Sequence, residues 1–352
     1  MFKAVGRSEC LDENELLAFF DAAAKGRPDA KRHAHLDVCA ECRLLVAEFA
    51  RSAADDSIPV VDELAPAFDG RPRWRGSLVG RYRLERFIGE GGLGFVWAAS
   101  DAQGHEAFAL KFLKPCEPDL ARRLLREGRV TAALSHPNIV RVHEVFEAPG
   151  FPPAIVMDLL DGESLGARLR REGALPLGVT AAMLLAIAEA LRAAHARGVV
   201  HRDLKPDNVF LTGASVKVLD FGFAKLTAME GGFAATDRLT RTGQAVGTPS
   251  YMAPEQIFAE ATVDARADVW SLGVMAFECL AGRKPIESRS MGPLLQAIAK
   301  GDLPRLDTHV AGLPSAVTDL VSRMLSTERS KRPSLEEIAR ALAPFASPDG
   351  GK

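Results

Sequence analysis

A glycine-rich segment that runs straight into a strand pattern constrains the fold of this chain more than any other feature. Residues 89–96 read GEGGLGFV and fit the pattern G-x-G-x-x-G-x-V. The next residues, WAAS, continue the strand, whereas a dinucleotide-binding loop requires a helix directly after its last glycine. The segment is therefore a hairpin: either a plain tight turn, or one whose backbone N–H groups lie over phosphates.

The residues around this hairpin predict a lobe of antiparallel strands followed by a lobe of helices. Apolar and polar residues alternate from Arg81 to Leu113 around glycine-containing turns. Beyond Leu165 the sequence is mainly helical. Within these lobes, further strands are predicted at about 139–146 and 154–159, and helices at about 119–134 and, most clearly, 179–197.

One lysine and one glutamate are candidates for a buried charge pair. Lys111 lies between apolar residues in the strand FALKFL, a position that an ordinary surface lysine can also occupy. Glu127 falls within the inward stripe of the predicted helix at 119–134, together with Leu120, Leu124, Thr131 and Leu134. Because a buried carboxylate needs a cationic partner, we expect Lys111 to be shared between Glu127 and nucleotide phosphates.

Three further motifs follow in a fixed order and establish a family resemblance. Residues 201–208 read HRDLKPDN, residues 220–222 read DFG and residues 253–255 read APE. With the glycine-rich segment and Lys111, they resemble the eukaryotic-type protein kinase superfamily over about residues 80–343. The resemblance implies an α+β, bilobal protein kinase fold, with an antiparallel-sheet N-lobe and a helical C-lobe, that uses ATP and Mg²⁺.

The resemblance also implies a role for each motif residue. Asp203 is the catalytic base or orients the substrate hydroxyl, and Lys205 supports the γ-phosphate. Asn208 and Asp220 hold Mg²⁺ through oxygen ligands. Met157 guards the back of the adenine pocket, and the hinge follows it. The implied nucleotide-binding residues are Ile88, Gly89, Glu90, Gly91, Gly92, Leu93, Gly94, Phe95, Val96, Lys111, Met157, Asp158 and Leu160.

The acceptor and its regulation follow from the same resemblance. HRDLKP and the segment GTPSYMAPE look like the serine/threonine branch, which implies protein substrates with Ser or Thr acceptors. Thr240 and Thr242 lie on the long segment between DFG and APE, and a phosphate there would suit Arg202. Glu255 and Arg332 are expected to form a buried ion pair of structural importance.

A separate cluster of metal-ligating residue types lies near the N-terminus. His35, Cys39 and Cys42 are spaced i, i+4 and i+7 on one helix face, and Cys10 can supply a fourth ligand. Such a Cys₃His set suits a closed structural Zn²⁺ site. The pattern resembles the zinc finger of zinc-associated anti-sigma factors and of the head of some bacterial kinases. Two alternatives remain: small core cysteines with a surface histidine, or a Cys39–Cys42 disulfide formed on oxidation.

Composition excludes other classes of protein. The 44 Lys and Arg residues nearly balance the 46 Asp and Glu residues, which argues against nucleic acid as a partner. The best apolar run, Ala181–Ala188, is broken by Glu189 and falls short of the roughly 18 residues of a membrane span. The N-terminus has no apolar stretch of signal-peptide length, and the 5 cysteines are too few for a disulfide framework. We therefore expect a cytoplasmic protein with no membrane partner.

These observations predict three parts along the chain. Residues 1–50 form a small two-helix zinc-binding module, residues 51–79 a proline-containing linker, and residues 80–346 a protein kinase domain. The leading hypothesis is an active bacterial serine/threonine kinase that autophosphorylates and is regulated by the zinc-binding module, with a regulatory protein partner there. A pseudokinase scaffold is opposed by the intact catalytic residues. A third hypothesis is an anti-sigma-like binding protein that acts through residues 1–50.

Overall fold

The computed structural model describes residues 74–91, 94–101, 103–114, 125–126, 128–213, 215–221, 249–258, 260, 262–287, 297–298, 301 and 303–347. The chain divides into two units, Met1–Pro72 and Arg73–Lys352, and every described residue belongs to the second. The proposed zinc ligands Cys10, His35, Cys39 and Cys42 lie outside the described residues.

The first half of the described chain forms a six-stranded sheet. Its strands have the spatial order β1-β2-β3-β4-β6-β5, and every pairing between neighbours is antiparallel. This confirms the predicted antiparallel-sheet lobe. The strands are β1 (Leu78–Val79), β2 (Tyr82–Glu90), β3 (Gly94–Asp101), β4 (Ala107–Leu113), β5 (Val142–Phe146) and β6 (Ala154–Asp158).

The two faces of this sheet bury different sets of side chains, because successive residues of a strand point to opposite faces. One face carries an aromatic-rich core that includes Phe95, Trp97 and Phe112. The other carries a smaller apolar cluster centred on Leu113, Val142 and Ile155. Lys111 alternates with Phe112 along β4, so it shares the second face.

The sheet begins earlier than the predicted domain. Leu78 and Val79, within the predicted linker 51–79, pair with Arg83 and Tyr82 of β2. The turn between the two strands passes through Gly80, whose φ of 59° favours glycine. Residues 74–79 are thus part of the folded lobe, and the boundaries 1–50, 51–79 and 80–346 stay predictions.

Helical residues follow β4 where the sequence predicts a helix. Residues 125–126 and 128–132 are helical. Thr131 and Leu134, both in the predicted inward stripe, are each 3% exposed. Glu127, together with Leu120 and Leu124, lies outside the described residues, so its pairing with Lys111 stays a prediction.

The second half of the chain forms the predicted helical lobe with a small three-stranded sheet. The sheet has the order β7-β8-β9, with β7 (Glu163–Ser164), β8 (Val209–Thr212) and β9 (Ser215–Val218). The described helices are α1 (Leu165–Glu172), α2 (Leu177–His195), α3 (Pro254–Ile257), α4 (Arg266–Ala281), α5 (Ser315–Met324) and α6 (Leu335–Leu342).

Two long helices make the centre of this lobe. Helix α4 buries almost its whole surface, including Leu272, Ala276 and Phe277. Helix α2 is long and apolar enough to cross a membrane by length and composition alone. It contributes fully buried residues such as Ile187 and Leu191 to the same core, which accounts for its apolar composition.

A buried ion pair joins α3 to the segment before α6. The Arg332 guanidinium donates to both carboxylate oxygens of Glu255, at 2.7 and 2.8 Å, and both side chains are fully buried. Arg332 also lies over the ring of Trp270, 5.2 Å from its centroid. The sequence prediction of this ion pair is confirmed.

Candidate active site

The hairpin formed by β8 and β9 brings two predicted metal ligands to one place. Val209 pairs with Val218, and the Leu219 N–H donates to the Asn208 carbonyl at 2.9 Å. Asn208 directly precedes β8, and Asp220 comes two residues after β9 ends. The register of this short hairpin therefore places Asn208 and Asp220 at the same end.

A buried aspartate of α4 fixes the segment that carries the predicted catalytic motif. Asp268 accepts hydrogen bonds from the backbone N–H groups of His201 (2.9 Å) and Arg202 (2.8 Å), and from His195 Nε2 (2.7 Å). Arg202 has a φ of 66°, a conformation that is unfavourable for a side chain with a Cβ. The Asp268 contacts hold this strained turn, which directly precedes Asp203.

Sequence reasoning assigned Asp268 no part in the site. The sequence does indicate that Asp268 is hydrogen-bonded in the core, because an aspartate in the first turn of the apolar helix sequence DVWSLGV needs buried hydrogen-bond partners. Those partners lie more than sixty residues earlier, and sequence spacing alone does not identify them.

Asp203 lies at the centre of a small polar cluster. Lys205 Nζ is 2.7 Å from Asp203 Oδ2, and Asn208 Nδ2 donates to the Asp203 carbonyl at 2.7 Å and to Oδ2 at 3.2 Å. The amide nitrogen of Asn208 is used in this way, so its oxygen is the atom suited to a metal ion. The Asp203 side chain is 40% exposed and is accessible to a substrate.

Lys111 and Asp220 form a charge pair between the six-stranded sheet and the loop after β9. Lys111 Nζ lies 2.7 Å from Asp220 Oδ1, with the side chains 11% and 27% exposed. Burial opposes ionisation of Asp220, but the charge and hydrogen bond of Lys111 outweigh it and lower the pKa of this carboxyl below its ordinary value. Asp220 is therefore ionised at neutral pH.

The residue after Asp220 anchors the loop that carries this predicted metal ligand. Phe221 is fully buried, with its ring centroid 4.8 Å from that of His201. The Thr131 hydroxyl donates to the Phe221 carbonyl at 3.0 Å. The core thus holds Phe221 while its neighbour Asp220 points to Lys111. Gly222 and the threonines Thr236, Thr240, Thr242 and Thr248 lie outside the described residues.

The glycine-rich segment is the turn between β2 and β3. The Gly91 N–H donates to the Gly94 carbonyl at 2.8 Å, and Glu90 pairs with Phe95. A Cβ on Gly94 would lie 2.0 Å from the Phe112 carbonyl oxygen, so backbone packing requires this glycine. A Cβ on Gly89 or Gly91 would meet no described atom within 4 Å. Packing among the described residues therefore does not require glycine at these two positions. The open space beside them leaves room for a ligand to approach the backbone.

The remaining predicted nucleotide-binding residues lie along β2, β3 and β6 or just beyond the end of β6. Ile88 is 43% exposed, and Val96 pairs with Lys111 across β3 and β4. Met157 packs against the smaller apolar cluster of the sheet, which is centred on Leu113, Val142 and Ile155. Strand β6 ends at Asp158, so the backbone as far as Leu160 lies beyond the ladder, where a hinge is expected. Gly92 and Leu93 are outside the described residues.

The donor set of this site fits a magnesium nucleotide. Asp203, Asp220 and Asn208 offer oxygen atoms, which Mg²⁺ prefers, and the Lys111 and Lys205 ammonium groups suit phosphate. Among the described residues, no group of three or more His, Cys, Asp or Glu side chains could hold a metal. A magnesium ion here would take Asn208 and Asp220 as protein ligands, with phosphate and water completing its shell.

The two-lobed fold and this group of side chains define a protein kinase domain. Residues 82–342 match the model of the protein kinase domain family, and the chain belongs to this family. The predicted superfamily is thereby confirmed, and the family implies ATP and Mg²⁺ as well as protein substrates.

Named relatives specify the class further. The chain is 41% identical over 224 residues to the serine/threonine-protein kinase PknA of Mycobacterium tuberculosis, covering 61% of this chain and 50% of that protein. It is 39% identical over 282 residues to the serine/threonine-protein kinase PkaA of Streptomyces coelicolor, covering 74% and 49%. The chain thus spans about half the length of these curated relatives. It carries a serine/threonine protein kinase domain of the bacterial type.

A solved structure supports the same fold. The crystal structure of the Mycobacterium tuberculosis PknI kinase domain is similar, with a TM-score of 0.60 and 32% sequence identity. The similarity covers 77% of this chain and 98% of that chain.

Proposed function

We propose that this chain transfers the γ-phosphoryl group of ATP to serine or threonine hydroxyls of protein substrates. The observation that carries the proposal is the 2.7 Å contact between Lys111 and Asp220, because it joins a phosphate-binding cation to a metal ligand. Bound Mg²⁺ supplies charge neutralisation for the transferring phosphate. The residues of the chain supply position and electrostatics.

Asp203 acts on the substrate hydroxyl. Lys205 and the Asn208 side chain both contact Oδ2, so we assign Oδ1 to the incoming hydroxyl. There the carboxylate orients the hydroxyl and accepts its proton as the hydroxyl oxygen bonds to the γ-phosphorus, while the bond from that phosphorus to the β–γ bridging oxygen breaks and ADP leaves. Asp268 keeps the loop in place through the backbone of His201 and Arg202.

Two lysines stabilise the negative charge on the phosphates. Lys111 is 9% exposed and is held between Val96 and Ile155 by the sheet, so its ammonium is oriented before a ligand arrives. We assign it to the nucleotide phosphates, with Glu127 as its supporting carboxylate. Lys205 is 2.7 Å from Asp203 and is assigned to the γ-phosphate.

A transfer assay tests this function. The full chain is incubated with Mg²⁺, radiolabelled ATP and a generic acceptor protein, beside the Asp203→Asn variant. We expect Asp203→Asn to lose at least about 100-fold in rate, since it removes the proton acceptor while keeping the side-chain shape. Asp307→Asn, which changes a surface partner of Arg305, serves as the control. Equal rates for wild type and Asp203→Asn would refute the proposal.

Autophosphorylation of the segment between DFG and APE is part of the proposal. Phosphate on Thr240 or Thr242 would pair with Arg202, the residue directly before Asp203. Mass spectrometry of the active protein should find phosphate on this segment. Full activity in the Thr240→Ala/Thr242→Ala double variant would remove loop phosphorylation as the switch.

We also propose that residues 1–50 bind structural Zn²⁺ through Cys10, His35, Cys39 and Cys42, and that this module contacts a regulatory protein partner in bacterial signal transduction. The i, i+4, i+7 spacing of three ligand types supports the zinc site. ATP as donor and thiolates kept reduced for zinc both favour the cytoplasm. Kinase recovered only from a membrane or external fraction would contradict this location.

A further inference from the structure

A tryptophan ahead of the recognised kinase domain packs onto the sheet that carries the nucleotide site. Trp74 precedes both the family match, which starts at residue 82, and the predicted domain, which starts at 80. Its side chain is half-buried. It joins the aromatic core that includes Phe95, Trp97 and Phe112, and the face of the six-stranded sheet that carries this core is called the outer face. No catalytic motif includes it.

Trp74 contacts four aromatic rings of this face. Its ring centroid lies 4.9 Å from that of Phe112 and 5.3 Å from that of Phe151, both in edge-on geometry. The centroids of Trp97 and Phe95 are 6.3 and 6.5 Å away. These separations fall within the range in which aromatic pairs attract each other. Trp74 therefore bridges β3, β4 and the loop that holds Phe151.

The strand register connects these contacts to the site. Phe95 pairs with Phe112, and the next pair along the same two strands is Val96 with Lys111. Because side chains alternate between faces, Phe95 and Phe112 contact Trp74 on the outer face. Val96 and Lys111 project from the opposite face, which is called the nucleotide face because it carries Lys111. Trp74 thus contacts, on the outer face, the two residues that directly adjoin Val96 and Lys111 along their strands.

The end of the glycine-rich hairpin depends on the same place. Gly94 directly precedes Phe95, and the site of its missing Cβ is 2.0 Å from the Phe112 carbonyl oxygen. Displacement of Phe112 or Phe95 would therefore shift the hairpin and Lys111 relative to each other. A structure packed this closely has little room to absorb such a shift.

We propose that Trp74 is a positioning residue for nucleotide binding, which holds the Phe95–Phe112 pair and so fixes the glycine-rich hairpin and Lys111 in register. The inference deepens the proposed function and rests on it, because its ligand is the magnesium nucleotide of the same site. Trp74 touches neither the nucleotide nor the reacting atoms. Its effect passes through the sheet.

The test compares three variants of the full chain. Trp74→Ala removes the ring, Trp74→Phe keeps an aromatic ring, and Phe146→Ala removes a ring from the same core at the Tyr82 side, 5.9 Å from the Tyr82 centroid. The measurements are the calorimetric Kd for Mg²⁺–ATP, the KM for ATP, kcat and the melting temperature. We expect Trp74→Ala to raise Kd and KM about 3- to 10-fold while kcat changes less than about 2-fold.

Rescue and control separate positioning from stability. Trp74→Phe should return Kd to within about 2-fold of wild type, and Phe146→Ala should lower the melting temperature while leaving Kd near wild type. If Trp74→Ala does not fold, Trp74→Leu takes its place with the same expected rise in Kd.

Two results would overturn the inference: an unchanged Kd in Trp74→Ala or Trp74→Leu, or an equal rise in Phe146→Ala. Failure of the proposed function can be told apart from failure of this inference. If the wild-type chain binds Mg²⁺–ATP but transfers no phosphate, the proposed transfer is refuted. The Kd values of the Trp74 variants still test the role of Trp74 in nucleotide binding.

Discussion

Lys111 Nζ and Asp220 Oδ1 are 2.7 Å apart, and this contact joins the nucleotide face of the large sheet to the loop that follows β9. Neither side chain is fully exposed, and in the absence of a ligand the Lys111 ammonium compensates the charge of the Asp220 carboxylate. In a magnesium–nucleotide complex, we expect the Lys111–Asp220 contact to be replaced by contacts of Lys111 with phosphate and of Asp220 with the cation. The pair is therefore an assembled site in which each charge already has a partner.

Lys111→Met should abolish most phosphoryl transfer without unfolding the protein. Methionine keeps the packing between Val96 and Ile155 but removes the charge, and we expect a loss of at least about 100-fold in kcat/KM. Radiolabel transfer and thermal melting measure the two effects. Lys217→Met, on β9, is the matched control and should keep near wild-type activity. Comparable transfer by Lys111→Met and wild type would contradict the role of Lys111.

Arg332→Met should strongly destabilise the helical lobe. Removing the guanidinium leaves the Glu255 carboxylate buried without compensation, a change that typically costs about 3–5 kcal/mol. Urea unfolding followed by tryptophan fluorescence reports it, because Arg332 lies against Trp270.

Arg305→Met is the matched surface control. Arg305 pairs with Asp307 and Asp319 at the surface, so its loss should leave the unfolding midpoint nearly unchanged. Equal midpoints for Arg332→Met and Arg305→Met would show that the buried pair is not structurally important.

The residue pattern alone predicts those features of the molecule that depend on residues close together in the chain, and it does not predict those that depend on tertiary packing. Strand alternation and helix periodicity correctly predict the two lobes, and the motif residues of the 201–208 segment are found close together. Contacts set by tertiary packing were missed. Trp74 stands in an irregular stretch that reads as linker, and its burial depends on Phe112 and Phe151. The Lys111–Asp220 contact likewise depends on tertiary packing, because it joins β4 to the loop after β9, more than one hundred residues later in the chain.

Glu278→Gln should stabilise the protein at neutral pH and not at acidic pH. Burial raises the pKa of the Glu278 carboxyl, and the Tyr251 hydroxyl and Lys284 only partly offset it. The folded state therefore binds the proton more tightly than the unfolded state. This contribution to stability is present below the ordinary glutamate pKa and is lost as pH rises through the raised folded value. Glutamine mimics the protonated form and keeps an acceptor for Tyr251.

Thermal melting across a pH series measures this effect. The melting temperature of Glu278→Gln should exceed that of wild type at about pH 8, and the difference should shrink toward about pH 5. Glu189→Gln, at a surface pair with Arg192, should show little such trend. A lower melting temperature for Glu278→Gln at about pH 8 would contradict the expected sign.

The proposed zinc module should hold one Zn²⁺ per chain, separately from catalysis. Three thiolates and one imidazole suit zinc, whereas the oxygen donors Asn208 and Asp220 suit Mg²⁺, so the two metals should not exchange. Elemental analysis should find about one equivalent of zinc in wild type and far less in Cys39→Ser/Cys42→Ser. Zinc content unaffected by this double substitution would refute the ligand set. Deleting residues 1–50 should leave basal transfer largely intact, and its loss would refute the separation.

The chemical identity of the phosphorylated side chains tests phosphoryl transfer to Ser or Thr most directly. The chain is incubated with Mg²⁺, ATP and an acceptor protein, and the products are digested and sequenced by mass spectrometry beside those of Asp220→Asn. We expect phosphoserine and phosphothreonine from wild type and a decrease of at least about 100-fold in Asp220→Asn, which lacks the ionised metal ligand next to Lys111. No phosphate on Ser or Thr with wild type, or equal phosphorylation by Asp220→Asn, would contradict the proposed function and its site.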